Sequence, residues 1–145
     1  MSDVPPKPAE RSAADAGLDP EYVYVARSGQ LPDGYVRRFF PRGLEICLAR
    51  NHGKAYAVTN LCTHMACLLS AGKVVEDGIG CSCHGSVFDL ETGEVVYPPA
   101  TKPITTYPLA EVDGELFVRL TDADVAAGEA RRVEAEAARL RAASS

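Results

Sequence analysis

Residues 62–67, Cys62-Thr63-His64-Met65-Ala66-Cys67, and residues 81–86, Cys81-Ser82-Cys83-His84-Gly85-Ser86, each set one Cys and one His at close spacing. The first run reads C-x-H and the second C-x-x-H, with sixteen residues between His64 and Cys81. A thiolate and an imidazole on each of two short segments make a two-loop clamp that can close on one centre. What the clamp holds, and on what frame, is read from the chain around it.

On the N-terminal side, Tyr22–Ala26, Tyr35–Phe40, Leu44–Arg50 and Ala55–Asn60 are short runs rich in β-branched and aromatic residues. Gly29, Pro32-Asp33-Gly34, Pro41-Arg42-Gly43 and Asn51-His52-Gly53 punctuate them. On the C-terminal side the pattern resumes with Lys73–Glu76, Val87–Leu90, Glu94–Tyr97, Ile104–Val112 and Glu115–Leu120. Turns fall at Asp77-Gly78, Glu91-Thr92-Gly93 and Asp113-Gly114, and a proline-rich stretch runs from Tyr97 to Thr101. Short strands with turn chemistry at this spacing predict an antiparallel all-β domain whose cysteine runs lie in loops. Thr121 or Asp122 is placed to cap a final helix over about residues 123–141, with Arg132 and Glu136 one turn apart. Its large apolar residues are Val125, Val133 and Leu140, so a solvated helix lightly docked on the body is expected. Residues 1–20, with Pro5, Pro6, Pro8 and Pro20, read as a flexible or surface-draped tail.

A chain of 145 residues suits one domain with tails. With 46% hydrophobic residues, 7% aromatics and no Trp, the core is expected to be built from Val, Leu, Ile and Ala. The net charge of -5 argues against a nucleic-acid partner, which requires a Lys/Arg surplus on at least one face. No window approaches the roughly 20 apolar residues of a membrane span, and the N-terminus lacks the apolar stretch of a secretory signal. A soluble cytoplasmic protein is therefore expected, with attachment to a membrane-associated complex left open. Five cysteines, Cys47, Cys62, Cys67, Cys81 and Cys83, are an odd count that reads as metal or redox chemistry before structural disulfides.

A tetrahedral zinc site accepts two thiolates and two imidazoles, yet structural zinc modules usually pair Cys with Cys and His with His. Mixed pairs on both loops fit a dinuclear iron-sulfur cluster better, and zinc stands as the rival. With these residues the sequence resembles the Rieske family, in which two His replace two Cys on one iron of a 2Fe-2S cluster. The resemblance spans about residues 22–120 and includes His84-Gly85-Ser86-Val87-Phe88-Asp89, the Gly93 turn, the proline loop and the Gly114 hairpin. It implies a Rieske fold of antiparallel sheets with a small cluster-binding subdomain. It also implies that Cys62 and Cys81 hold the inner iron, His64 and His84 the outer one, and that Met65 and Pro98–Ala100 are apolar covers. Neutral imidazoles lower the negative charge of the centre, which the resemblance places within roughly -150 to +300 mV. A potential that falls as pH rises is a further implication.

Cys67 and Cys83 stand where high-potential members of the family have a disulfide joining the two loops, so the resemblance implies that bridge; two reduced thiols are the bland alternative. Ser86 stands where those relatives have a hydroxyl that donates to a bridging sulfide. Phe88 stands where they have a Tyr that donates to a cysteine sulfur. With one donor kept and one missing, an intermediate potential is expected. Ala66 in place of Gly and Ser82 in place of Pro are departures from that subfamily. Cys47 reads as a small core residue, His52 as a surface turn, and the Arg37, Arg38 and Arg42 group as a solvated strand edge or an acidic partner's dock.

The domain division expected is a tail over 1–20, a Rieske domain over 21–121 with cluster loops at 60–101, and a helical extension over 122–145. The resemblance implies a soluble ferredoxin that takes electrons from a reductase or other donor and passes them to an oxygenase or similar acceptor. A complete ring-hydroxylating oxygenase also needs a mononuclear iron held by two His and a carboxylate. The chain has three His, and once His64 and His84 are used only His52 is left. No complete catalytic site is therefore expected. The alternatives are a subunit of a larger quinol-oxidising or arsenite-oxidising complex, a zinc-stabilised binding module, and a thiol switch at Cys67 and Cys83.

Overall fold

The computed structural model of the protein describes residues 13–62, 67–83 and 85–144. Its first strands are β1 (Tyr22–Arg27), β2 (Val36–Phe39), β3 (Ile46–Asn51) and β4 (Lys54–Thr59). Next come β5 (Lys73–Val75), β6 (Gly78–Gly80), β7 (Val87–Phe88) and β8 (Val95–Tyr97). The last are β9 (Thr106–Tyr107), β10 (Leu109–Val112) and β11 (Glu115–Arg119), followed by the helix α1 (Asp122–Ser144). They form three antiparallel sheets with strand orders β1-β11-β10, β2-β3-β4-β9 and β5-β6-β7-β8. The all-β expectation with a C-terminal helix holds.

The hairpin of β3 and β4 is the wall between two cores, because successive side chains of a strand point to opposite faces. Ile46 and Leu48 face one core with Leu31, Ala55, Ala57, Leu116, Val118 and Leu120. Cys47 and Ala49 face the other, with Val58, Leu69, Ile79, Phe88 and Leu90. Burial on both faces explains why Ile46-Cys47-Leu48-Ala49 is continuously apolar and not alternating. The first cysteine of each loop, Cys62 and Cys81, is buried in the second core.

Two features differ from the sequence-based expectations. Gly78–Gly80 forms a strand, paired with β5 and β7; Gly-Ile-Gly has one apolar side chain, too few for a pattern. The run Ile104–Val112 is not one strand. Its first part pairs with β4 and its second with β11, and Pro108, which has no N–H to give to a ladder, stands between them. In the segment expected to be a flexible or surface-draped tail, Ala13 is buried and its carbonyl accepts from the Ala16 and Leu18 N–H groups. Residues 1–12 lie outside the described part.

The helix α1 is solvated and lightly docked, as expected, and its seat is visible in detail. Thr121 and Asp124 cap it reciprocally, the Thr121 Oγ1 accepting from Asp124 N–H at 3.0 Å and the Asp124 carboxylate from Thr121 N–H at 2.9 Å. Val125 packs on the first core, and Gly128 and Ala135 are buried one and three turns further on. A Cβ on Gly128 would come within 1.9 Å of Leu44 Cδ1, so the small residue sets how closely the helix lies. Val133 and Leu140, by contrast, face solvent. The helix is held by small residues and polar ties, among them Arg131 to the Tyr107 hydroxyl at 3.0 Å and Arg42 to Asp122 at 2.7 Å.

Candidate metal centre

Each cysteine loop leaves a strand end and is closed by its own backbone. After β4, the Cys62 N–H donates to the Cys67 carbonyl at 2.8 Å, and Leu61 forms a bridge with Leu68. After β6, the Cys81 N–H donates to the Ser86 carbonyl at 2.7 Å, and the Gly85 N–H to the Cys81 carbonyl at 3.2 Å. Cys62 and Cys81 are buried, at 2% and 5% exposed, while Ser82, Cys83 and Gly85 form an exposed rim above. Two buried thiols at the base of two closed loops, with an outward rim, suit a centre anchored inside and reached from outside.

Cys67 and Cys83 form the disulfide implied by the family resemblance, tying the two loops together with 6.4 Å between their Cα atoms. The sulfurs of Cys67, Cys81 and Cys83 lie within 4.8 Å of one another. Two of these sulfurs are spent on the bridge, and a disulfide offers no thiolate to a metal. Cys62 and Cys81 lie outside the bridge and are the cysteines of the described loops that could hold a metal. Thr63, His64, Met65, Ala66 and His84 lie outside the described residues. Two sulfur donors set in the apolar wall of Leu69, Ile79, Phe88, Leu90 and Ala100 fit the inner half of a 2Fe-2S group.

The proline loop forms the third side. Ser86 is 1% exposed, and its Oγ accepts from the Ala100 N–H at 3.0 Å, which joins this loop to the second cysteine loop. Accepting through oxygen, the hydroxyl keeps its proton to donate. The Pro98–Pro99 peptide is cis, and both prolines are exposed beside Tyr97. The loop is reached through a turn built on Asp89, whose Oδ1 accepts from the N–H groups of Glu91 at 2.8 Å and Thr92 at 2.9 Å. Phe88 is fully buried in the second core. Cys47 is likewise a core residue, where loss of hydration pushes its thiol up to about 12. His52 occupies an exposed turn at φ 53°.

Two polar residues that the sequence reading passed over, Asn60 and Glu45, stand at the base of the first loop. Asn60 is 0% exposed, and its Nδ2 donates to Glu45 Oε2 at 2.9 Å. A polar residue at the end of an apolar strand reads as an ordinary turn residue; only its burial marks it.

The family model described as "Rieske [2Fe-2S] domain" matches residues 21–108. The 3-phenylpropionate/cinnamic acid dioxygenase ferredoxin subunit of Escherichia coli strain K12 is 31% identical over 102 residues, covering 70% of this chain and 95% of that one. The ferredoxin component of the naphthalene 1,2-dioxygenase/salicylate 5-hydroxylase systems of Ralstonia sp is 40% identical over 88 residues, 61% of this chain and 85% of the relative. Among solved structures, the ferredoxin of carbazole 1,9a-dioxygenase from Nocardioides aromaticivorans IC177 superposes with a TM-score of 0.65 at 29% identity, covering 69% of this chain and 98% of that one.

Proposed function

The chain belongs to the Rieske [2Fe-2S] domain family, and on that premise we propose that it is a ferredoxin passing single electrons from a reductase to a terminal oxygenase. The observation that carries the reading is coverage. The likeness takes in 95% of a dioxygenase ferredoxin subunit and 98% of a carbazole dioxygenase ferredoxin, but 28% of the 2-oxoquinoline 8-monooxygenase component. It thus matches whole carriers, and only a part of an oxygenase. One complex of similar fold holds an oxygenase and a ferredoxin of carbazole 1,9a-dioxygenase together, which supports an oxygenase as the acceptor here.

The family carries one 2Fe-2S cluster, and when bound it supplies a site that stores one electron. In this chain Cys62 and Cys81 would hold the buried iron, and His64 and His84 the outer one. The polypeptide's part is to keep that site in one shape. The Cys67–Cys83 bridge ties the loops, the apolar wall of the second core keeps water from the two cysteines, and Ser86 joins the proline loop to them. Fixed surroundings hold down the reorganisation that accompanies a change of charge. The bridge and Ser86 support a potential above that of relatives lacking both, and the hydroxyl missing at Phe88 supports one below the top of the family range. Residues 21–121 are the carrier domain in this reading, with 122–145 an extension. A cytoplasmic location belongs to the same proposal; no helix among the described residues is long and apolar enough to cross a membrane.

Anaerobically purified protein is expected to be coloured, to contain two irons and two acid-labile sulfides per chain, and to take up one electron. The Cys62→Ser variant is expected to lose the colour. A colourless, zinc-loaded wild type would overturn the iron-sulfur assignment. A large subunit co-purifying in fixed stoichiometry would overturn the free-ferredoxin reading, and a film-voltammetry potential at the bottom of the family range would overturn the intermediate potential.

A further inference from the structure

We propose that Asn60 is a positioning residue for the metal centre, oriented by Glu45. The inference rests on the assignment of Cys62 as a ligand proposed above. Asn60 stands two residues before Cys62 and is fully buried. Its backbone carbonyl accepts from the Leu69 N–H at 2.9 Å, and its side-chain Oδ1 accepts from the Ser70 N–H at 2.7 Å. One residue at the start of the first loop thus grips two consecutive amides at its end. The Leu61–Leu68 bridge and the bond from Cys62 N–H to the Cys67 carbonyl stack above this grip, so the base of the loop is a short ladder with Asn60 as its lowest rung.

A buried carboxamide can be turned either way round, and only its partners decide which end faces the loop. Glu45 supplies the decision. Its carboxylate, with Oε2 2.9 Å from Asn60 Nδ2, can accept from an amide nitrogen but has nothing to donate to an amide oxygen. Nδ2 therefore faces Glu45 and Oδ1 is left for Ser70. Arg38, 3.5 Å from the same Glu45 oxygen, holds the carboxylate in turn. The relay runs from the edge strand β2, through the segment before β3, to the loop that carries Cys62 and one half of the disulfide. Its expected effect is to hold Cys62 in place against Cys81; without it, the disulfide ties two loops whose relative position is less defined.

The test compares wild type, Asn60→Ala, Asn60→Asp and the double variant Asn60→Asp/Glu45→Gln, all as full-length protein loaded with cluster. Three readouts are taken: the half-life of the colour under chelator, the electron paramagnetic resonance line shape of the reduced protein, and hydrogen exchange at the Ser70 amide. Asn60→Ala is expected to shorten the half-life about tenfold, equivalent to roughly 1.4 kcal/mol, to broaden the line shape and to speed exchange at Ser70. Asn60→Asp sets two carboxylates against each other and is expected to do the same. The double variant keeps both bonds of the side chain at position 60 with the charge moved from position 45, and gives up only the longer Arg38 contact on the replaced Glu45 oxygen. The new carboxamide at position 45 donates to the new carboxylate at position 60, which still accepts from the Ser70 N–H, and all three readouts are expected to be restored. A residue serving stability alone would lower the unfolding midpoint in the single variants and leave the line shape of the loaded fraction unchanged, which would overturn the proposal. So would a double variant that restores nothing lost in Asn60→Asp. A wild type without colour overturns the assignment of Cys62; a coloured wild type matched by Asn60→Ala overturns only the role of Asn60.

Discussion

In its proposed role, Ser86 does two jobs with one hydroxyl. Its oxygen accepts from the Ala100 N–H at 3.0 Å, and its proton is left to donate toward the cysteine loops. The first bond fixes the proline loop; the second, in the proposed role, favours the reduced centre, because a donor nearby offsets the added negative charge. Ser86→Ala is therefore expected to lower the midpoint potential. A charge-assisted hydrogen bond of about 1.5–3 kcal/mol converts to roughly 60–130 mV for one electron. Protein-film voltammetry reads the shift, and an unchanged potential would show that Ser86 acts on the loop alone. Phe88, two residues on, has the same burial and no hydroxyl to offer. The identity of both residues was plain in the sequence, but the Ala100 partner was not, since fourteen residues separate it from Ser86.

The turn between β7 and β8 shows how an element places a loop. Asp89 folds the segment through its carboxylate, its carbonyl accepts from the Gly93 N–H at 2.8 Å, and the Gly93 carbonyl accepts from the Ile104 N–H at 2.8 Å. The proline loop is thus pinned at Ala100 by Ser86, and the segment that follows it at Ile104 by Gly93. Gly93 has φ +80°, and a Cβ there would lie 2.1 Å from the Ile104 carbonyl oxygen. Backbone strain and overpacking combine at that position, so Gly93→Ala is expected to cost about 2–4 kcal/mol, measured as a drop in the denaturant midpoint at constant slope. The turn residues Glu91-Thr92-Gly93 announced the bend in the sequence, but the contact with Ile104 is tertiary. The helix α1 is the opposite case. Its existence was legible and its cap was narrowed to Thr121 or Asp122, while its seat was not, because Gly128 and Ala135 dock it and neither stands out as apolar. The family match ends at residue 108, before this helix begins.

Across the whole molecule, polar and charged side chains fasten one sheet to the next. Arg50 of β3 reaches Glu111 of β10 with two nitrogens, at 3.1 and 2.9 Å, and also donates to the carbonyls of Leu31 and Gly53. Asn51 donates to the Val75 carbonyl of the third sheet at 3.2 Å. The bonds from Arg50 hold the Glu111 carboxyl below its ordinary value of 4.5. A lowered folded value means that the pair's contribution is complete above about pH 4.5 and is lost as the pH falls through the folded value. Glu111→Gln is expected to cost about 1 kcal/mol at neutral pH, discounted for partial exposure. It is also expected to flatten the acid limb of a stability-against-pH curve, followed by chemical denaturation from pH 7 to 3. An unaltered acid limb would show that other carboxylates set it.

Alternating short strands, turn residues and two Cys/His runs determined an antiparallel all-β chain with a metal-binding clamp, because strand periodicity and ligand type are local properties of the sequence. The resemblance to the Rieske family added the bridge between Cys67 and Cys83. Tertiary structure decided the rest: that β3 and β4 divide two cores, that Pro108 sends one apolar run into two sheets, and that Asn60 and Glu45 stand behind the first loop. Each of these depends on which residues far apart in the chain exclude water together, and spacing along the chain does not carry that information.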